Sequence, residues 1–145
     1  MQITDFSFIH SLRVRWSEVD MQGVVFNGHY LTYFDVAFVE YWRATGLPGI
    51  PQQAGQGVEM FVRKATLEYL APVHFDDELE LGVRCAALGT TSLRFAIGIF
   101  RAGQHLVSGE LVYVVADTQL RKAVPVPDAW RSVLIDFEKL PPQQK

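Results

Sequence analysis

The strongest candidate for chemistry in this chain is a short loop with two carboxylates that ends at the start of an apolar helix. Glu18 and Asp20 lie in this loop, and the glycine-containing run of residues 23–30 begins three positions after Asp20. The N-terminus of a helix presents unpaired backbone N–H groups and the positive end of the helix dipole. Such donors suit an oxyanion developing on an acyl carbonyl, and a carboxylate upstream could attack that carbonyl or activate water. The loop therefore indicates acyl transfer.

The same residues also have purely structural explanations. An aspartate before a helix is more often a cap or a turn former than a catalyst. Asn27 is first explained as the N-cap of the helix, and Gly23 and Gly28 as residues that allow the backbone to turn. His29 either fills the first helical turn or reaches an acyl pocket. The residue types alone leave both interpretations open.

A strand and a helix must position this loop. Alternation over residues 9–16, with Leu12, Val14 and Trp16 on one side, predicts a half-buried strand before it. Residues 30–45 are apolar over more than half of the helical surface, which predicts a helix buried at the centre of the fold. Gly46 at its end is a good C′ residue.

Four strands are predicted after the helix, at about residues 59–70, 79–85, 93–99 and 106–116. Their spacing is typical of an antiparallel meander, and a last short helix is expected to begin near Asp128. The order predicts an α+β fold in which an antiparallel β-sheet curls around one long central helix. Because such a sheet has open edges, we expect the chain to form a homo-oligomer.

Composition bounds the class of protein but does not name a function. The chain has 145 residues, a net charge of -3 and 49% apolar residues, which predicts a single globular domain over residues 1–145. We expect residues 139–145 to form a frayed polar tail. The sequence has no basic stripe of the kind that binds nucleic acid, and it has no apolar run long enough to span a membrane. Cys85 is the only cysteine, which excludes an intrachain disulfide, and the cytoplasm is the expected location.

A family resemblance rests on the loop and its surroundings. Residues 14–31 read VRWSEVDMQGVVFNGHYL and resemble the signature of hotdog-fold acyl-CoA thioesterases. The branch is the 4-hydroxybenzoyl-CoA thioesterase family, including the Tol-Pal-associated acyl-CoA thioesterases. The similarity extends to Pro48 and resumes over residues 71–79 and 123–127.

The resemblance implies a function for individual residues. Asp20 matches the catalytic carboxylate of the family, which acts as nucleophile or as general base. Asn27 matches the position whose backbone N–H polarises the thioester carbonyl, and Gly23 matches the glycine that turns the loop. The implied reaction is hydrolysis of an acyl-CoA by a homodimer or homotetramer, with no metal and no redox cofactor.

Two departures from the family and two other functions accompany this interpretation. Asn27 stands where the Tol-Pal-associated branch usually has His, and residues 89–91 are neutral where the hydroxybenzoyl branch is basic. The alternatives are a non-catalytic acyl-CoA binding protein and a hotdog dehydratase or hydratase. Candidate substrate-binding residues, from the helix start and from the nearby cations, are Phe26, Gly28, His29, Tyr33, Arg63 and Lys64.

Overall fold

One long helix packed against a six-stranded sheet forms the architecture, which confirms the predicted fold class. The computed structural model describes residues 1–48 and 57–145. The elements in chain order are β1 (Phe8–Arg13), α1 (His29–Ala44), β2 (Val58–Tyr69), β3 (Glu78–Leu88), β4 (Ser92–Arg101), β5 (Gln104–Asp117), α2 (Asp128–Phe137) and β6 (Gln143–Gln144). Neither described helix is long and apolar enough to cross a bilayer.

The sheet has the strand order β1-β3-β4-β5-β2, with antiparallel pairing throughout this path. The predicted meander of four strands is confirmed for β3, β4 and β5 and is wrong for β2. Strand β2 precedes them in the sequence but pairs with β5 at the far edge of the sheet. A bulge interrupts that pairing between Val62 and Lys64. The chain therefore places β1 and β2 on opposite edges.

Helix α1 supplies the core with a continuous row of aromatic side chains. Phe38 stacks on Tyr113 of β5 with ring centroids 4.7 Å apart, and its edge meets Phe95 of β4 at 4.8 Å. One turn earlier, Phe34 lies directly over Gly109 of β5, where no side chain separates helix from sheet. The buried residues of the helix are Tyr30, Tyr33, Phe34, Ala37, Phe38, Tyr41 and Trp42. The predicted central burial of the helix is confirmed.

The first strand is shorter than its periodicity predicts. Alternation suggested a strand over residues 9–16, but β1 ends at Arg13 and a 3-10 turn occupies Trp16–Glu18. Trp16 was expected to face inward, and its side chain is instead 74% exposed. The reason is local, because the Glu18 carboxylate accepts a hydrogen bond from the Arg15 N–H at 2.7 Å and turns the chain there.

The start of α1 also differs from the prediction. Asn27 was expected to cap the helix, but the N-cap residue is Gly28 and no side chain caps it. The Asn27 carbonyl instead accepts a hydrogen bond from the Tyr69 hydroxyl at 3.1 Å. At the other end Gly46 adopts a φ of 79°, the left-handed conformation that ends a helix, as its position predicts.

The predicted frayed tail over residues 139–145 is wrong. Residues Gln143–Gln144 form β6, which pairs in parallel with β3, and the Lys145 N–H donates to the Leu88 carbonyl at 3.0 Å. Two arginines hold the side chains of this strand. Arg94 donates to Gln143 and Arg131 donates to Gln144. This polar segment thus pairs with the sheet because the side chain of each glutamine accepts a hydrogen bond from an arginine.

A buried carboxyl group lies at the C-terminal end of α2. Glu138 is 7% exposed, and its Oε1 accepts hydrogen bonds from the Tyr41 hydroxyl at 2.5 Å and the Cys85 N–H at 2.7 Å. Its Oε2 has no partner among the described residues. Burial raises the pKa of Glu138 above its ordinary value, against the opposing effect of these bonds. Burial also raises the pKa of the neighbouring Cys85 thiol to about 12, so the thiol is protonated.

This carboxyl group predicts a specific pH dependence of stability. A group whose pKa is higher in the folded than in the unfolded state binds more protons when folded, so stability falls as pH rises between those two values. We expect Glu138→Gln to remove this decrease in stability. At pH values above the folded-state pKa of Glu138, the variant should have a higher free energy of unfolding than the wild type. Urea unfolding of both proteins across pH 4 to 8 measures the effect. Identical slopes for the two proteins would contradict it.

Candidate functional site

The loop that carries Asp20 is a small hairpin closed by its own backbone. The Asp20 N–H donates to the Val24 carbonyl, and the Gly23 N–H donates to the Asp20 carbonyl, each at 3.0 Å. Asp20 Oδ1 accepts the Gln22 N–H at 2.8 Å. Gly23 adopts a φ of 78°, which favours glycine at the turn. These bonds fix the carboxylate of Asp20 through one oxygen and leave Oδ2 without a partner in the described part of the chain.

The base of this hairpin is tied to the segment that enters α1. Val19 and Val25 form an antiparallel bridge, and the Phe26 N–H donates to the Glu18 carbonyl at 3.0 Å. On the other side, the Val25 N–H donates to the Val73 carbonyl at 2.8 Å. The hairpin is therefore held between the helix entrance and the segment that links β2 to β3.

Two backbone donors are available where the helix begins. The His29 N–H donates to the Phe26 carbonyl at 3.0 Å. The N–H groups of Asn27 and Gly28 have no hydrogen-bond acceptor within the described residues. They precede a helix of 16 residues, whose N-terminal end carries partial positive charge. Such a pair can stabilise a negative oxygen.

A cavity of about 410 Å³ joins the hairpin to the helix start. Asp20 and Asn27 both line it, so the structure brings together two residues that the sequence selected. Most of the other lining residues are apolar or aromatic. The complete lining is Asp20, Gln22, Val24, Val25, Phe26, Asn27, Tyr30, Tyr69, Leu70, Ala71 and Pro72. The site is a carboxylate and a helix N-terminus at the edge of an apolar wall.

Two tyrosines line this cavity that the sequence did not predict as site residues. Tyr30 and Tyr69 meet edge to face with ring centroids 5.2 Å apart. Burial raises the pKa of Tyr30, and the nearby Asp20 carboxylate adds to that effect, so its hydroxyl is neutral. Tyr30 was read only as a core aromatic, although its place in the first helical turn beside the loop was a usable signal. No local signal pointed to Tyr69, which arrives from the far edge strand.

Tyr33 lies elsewhere than predicted. It was expected to line an acyl pocket, but it is 0% exposed and is absent from the lining of this cavity. Its hydroxyl donates to Glu18 Oε1 at 2.8 Å. Glu18, one of the two loop carboxylates, is itself only 6% exposed. Burial raises the pKa of Glu18, but the bonds and charge of Arg15 and the Tyr33 hydroxyl outweigh it, so the pKa lies below its ordinary value.

The remaining predicted residues divide between the cavity and the surface. Phe26 lines the cavity, and its ring edge meets the His29 ring at 5.7 Å. Gly28 and His29 do not line the cavity in the described structure. Arg63 and Lys64 are exposed on β2 at the bulge, and neither has an ion-pair partner among the described residues. Their proposed contact with substrate stays a prediction.

A second and larger depression, of about 1010 Å³, lies between β1, β3 and the turn after β4. Its arginines are already paired. Arg13 binds Asp76 and Glu78, and Arg101 binds Asp77 at 2.6 Å. The depression therefore offers no unpaired cation among the described residues that line it.

Comparison with known proteins adds three findings. The profile of the thioesterase superfamily matches residues 22–108, which begins two residues after Asp20. An acyl-CoA thioester hydrolase YbgC of Escherichia coli is 30% identical over 131 residues, 88% of this chain and 93% of that protein. A putative esterase of Aquifex aeolicus is 31% identical over 94 residues, 65% of this chain and 73% of that protein.

Solved structures share the fold. A thioesterase from Thermus thermophilus, determined with coenzyme A and zinc, has a TM-score of 0.82 at 26% identity and covers 94% of this chain and 98% of its own. A 1,4-dihydroxy-2-naphthoyl-CoA thioesterase from Synechocystis has a TM-score of 0.80 at 19% identity, covering 89% of this chain and 96% of its own.

Proposed function

This chain belongs to the thioesterase superfamily, and on that premise we propose that it hydrolyses an acyl-CoA to a carboxylic acid and CoA, with Asp20 as the catalytic carboxylate. The Escherichia coli relative is named an acyl-CoA thioester hydrolase and the Thermus thermophilus structure a thioesterase, and this chain is a thioester hydrolase as well. One observation carries the assignment of residues. Asp20 and Asn27 line the same cavity at the start of the helix, where the N–H groups of Asn27 and Gly28 have no acceptor within the described residues.

The proposed reaction uses these two elements on opposite sides of the thioester carbonyl. The N–H groups of Asn27 and Gly28 stabilise the oxyanion as the carbonyl carbon becomes tetrahedral. The attacking oxygen comes from the Asp20 carboxylate itself or from a water molecule that Asp20 deprotonates. The carbon–sulfur bond then breaks and CoA leaves as a thiolate. In the nucleophilic route, water hydrolyses the resulting anhydride and restores Asp20.

The acyl group is proposed to lie against the apolar part of the cavity. Tyr30 and Tyr69 form one aromatic wall of the cavity, and Leu70 extends it. Because its pKa is raised, the Tyr30 hydroxyl stays neutral and adds no second negative charge near Asp20. A cavity of about 410 Å³ suits a short aliphatic or a single-ring aromatic acyl group better than a long chain.

The CoA part of the substrate is proposed to contact exposed cations. The relative solved with coenzyme A supports CoA as the thiol carrier. CoA is a polyanion, whereas the chain has a net charge of -3 and attracts it only locally. Arg63 and Lys64 are exposed on the edge strand, with no carboxylate paired to them in the described residues.

We expect the double variant Arg63→Ala/Lys64→Ala to raise KM for acyl-CoA about three- to tenfold while kcat changes less than twofold. Its KM should also depend less on salt, because screening acts on the charges that the variant lacks. Arg43→Ala, an exposed arginine of α1 paired with Glu40, is the matched control and should leave KM unchanged. Equal KM and equal salt dependence in the wild type and the double variant would contradict the assignment.

Thiol release tests the proposed function directly. The wild-type protein is incubated with acetyl-, hexanoyl-, decanoyl- and benzoyl-CoA, and the free thiol is measured with a chromogenic disulfide. We expect turnover of at least one of these substrates, with the highest kcat/KM for hexanoyl- or benzoyl-CoA. Tight binding of acyl-CoA without thiol release would instead favour the non-catalytic alternative.

We further propose that residues 1–145 act as one thioesterase domain and that two or four copies assemble. Strand β2 is an edge strand of 12 residues that exposes Phe61, Val62 and Tyr69. An edge of that length with apolar side chains favours pairing with a second strand. Light scattering then gives a mass of at least twice 16.4 kDa, and the mass of a single chain would contradict assembly.

A further inference from the structure

Glu18 is a buried carboxylate whose two oxygens are both occupied. Oε1 accepts the Tyr33 hydroxyl at 2.8 Å and the Arg15 N–H at 2.7 Å. Oε2 accepts two hydrogen bonds from the Arg15 guanidinium, from Nε at 3.0 Å and from Nη2 at 2.6 Å. The residue does not line the cavity that Asp20 lines. With no free oxygen and no access to the cavity, Glu18 is unsuited to attack a substrate.

The bonds of Glu18 connect the elements that must hold Asp20 against the helix. Its side chain reaches Tyr33, which follows the first turn of α1. Its main-chain carbonyl accepts the N–H of Phe26, the residue directly before Asn27. The Asp20 hairpin begins two residues after Glu18 and closes at Val24. A shift of Glu18 therefore moves the Asp20 hairpin relative to the N-terminus of the helix.

We propose that Glu18 and Tyr33 are positioning residues, whose hydrogen bond sets the distance between the Asp20 carboxylate and the backbone N–H groups of Asn27 and Gly28. The inference rests on the proposed function. Both groups must meet the same carbonyl from opposite sides, and a misplacement of about 1 Å in such a site can cost about a hundredfold in rate.

The chain provides a matched control for this pair. Tyr41 lies eight residues after Tyr33 on the same buried face of α1, about 12 Å further along the helix. Its hydroxyl also donates to a buried glutamate, Glu138, at 2.5 Å. Tyr33→Phe and Tyr41→Phe thus make the same chemical change at the two ends of one helix. Only the first acts on the Asp20 hairpin.

Kinetics with the best acyl-CoA of the panel test the proposal. We expect kcat to fall about three- to tenfold in Tyr33→Phe and about ten- to a hundredfold in Glu18→Ala, with KM within threefold of the wild type. Glu18→Gln keeps an oxygen for Tyr33 and should recover part of the loss. The double variant Glu18→Ala/Tyr33→Phe should be no slower than Glu18→Ala, because the two residues act as one unit. Tyr41→Phe should keep the wild-type kcat.

Hydrogen exchange provides a readout that does not depend on turnover. In Tyr33→Phe, the backbone amides of Gly23 and Phe26 should exchange at least tenfold faster than in the wild type. In Tyr41→Phe, their exchange rates should equal those of the wild type. If Glu18→Ala fails to fold, the kcat and the exchange rates of Tyr33→Phe are sufficient to test the proposal. The proposal is overturned if Tyr33→Phe keeps the wild-type kcat and exchange rates while Asp20→Asn is inactive. It is also overturned if Tyr41→Phe loses as much kcat, or if the wild type releases no thiol, which removes the proposed function too.

Discussion

Asp20→Asn is expected to lower kcat about 10²- to 10⁴-fold while the protein stays folded. An amide can neither attack the acyl carbon nor accept a proton from water. The loss corresponds to about 2.7–5.4 kcal/mol of transition-state stabilisation. The hairpin should survive the change, because the amide oxygen can still accept the Gln22 N–H that now binds Oδ1 at 2.8 Å. Thiol release and thermal unfolding of the variant measure both parts of this result.

A matched control separates catalysis from charge. Asp76→Asn makes the same change at another exposed aspartate, whose φ of 67° is a conformation that asparagine tolerates. Asp76 lies outside the cavity of Asp20, in an ion pair with Arg13, so kcat should not change. An Asp20→Asn protein that turns over its best acyl-CoA at the wild-type rate would remove Asp20 from the mechanism.

The two roles open to Asp20 differ in one observable. As a nucleophile it forms an acyl anhydride, so rapid quenching during turnover should give a protein whose mass is increased by the acyl group. Proteolysis should then place the added mass on the peptide that contains Asp20. As a general base it forms no covalent bond, and the quenched protein keeps its own mass.

The second large effect concerns the fold. Gly109→Ala is expected to destabilise the protein by about 1–3 kcal/mol and to lower Tm by roughly 3–10 °C. A Cβ at residue 109 would overlap the ring of Phe34 and would lie 3.2 Å from the Thr66 carbonyl oxygen. Phe34 is 0% exposed, so its ring is packed in the core and cannot move into solvent. The helix must therefore move away from the sheet.

A compensating substitution makes this prediction specific. Phe34→Leu removes the overlapping ring atoms, so Gly109→Ala should cost less in the Phe34→Leu background than in the wild type. Ser108→Ala, on the opposite face of β5, should change Tm little. The steric explanation fails if Gly109→Ala costs the same in both backgrounds.

The elements with regular periodicity were predictable, and the site geometry was predictable only in part. Helix α1 differs from its predicted range of 30–45 by one residue at each end, because its apolar residues repeat over four turns. The alternation in β3, β4 and β5 likewise predicted their positions. Tails and turns failed, since β6 depends on arginines from distant elements and the turn at Trp16 depends on one carboxylate.

Asp20 and Asn27 were found because they are close in sequence and belong to one motif. Tyr69 was not found, because it reaches the cavity only through the register of β2 on β5, where Tyr69 pairs with Val107. Glu18 was listed beside Asp20 as a carboxylate of the candidate loop, because the burial of a loop acid is not visible in the sequence. Its partner Tyr33 was assigned to the pocket, since periodicity gives the face of a helix and not what that face meets.

The two buried glutamate–tyrosine pairs on α1 respond to pH in opposite directions. The pKa of Glu18 is lowered by folding, so its contribution to stability is lost as pH falls through the folded-state value. The pKa of Glu138 is raised, so its contribution is lost as pH rises. Lowering the pH therefore loosens the end of the helix that adjoins Asp20, and raising the pH loosens the other end. Inactivation by acid should begin at the Asp20 hairpin before the chain unfolds, whereas raising the pH should weaken the fold with the hairpin still in place.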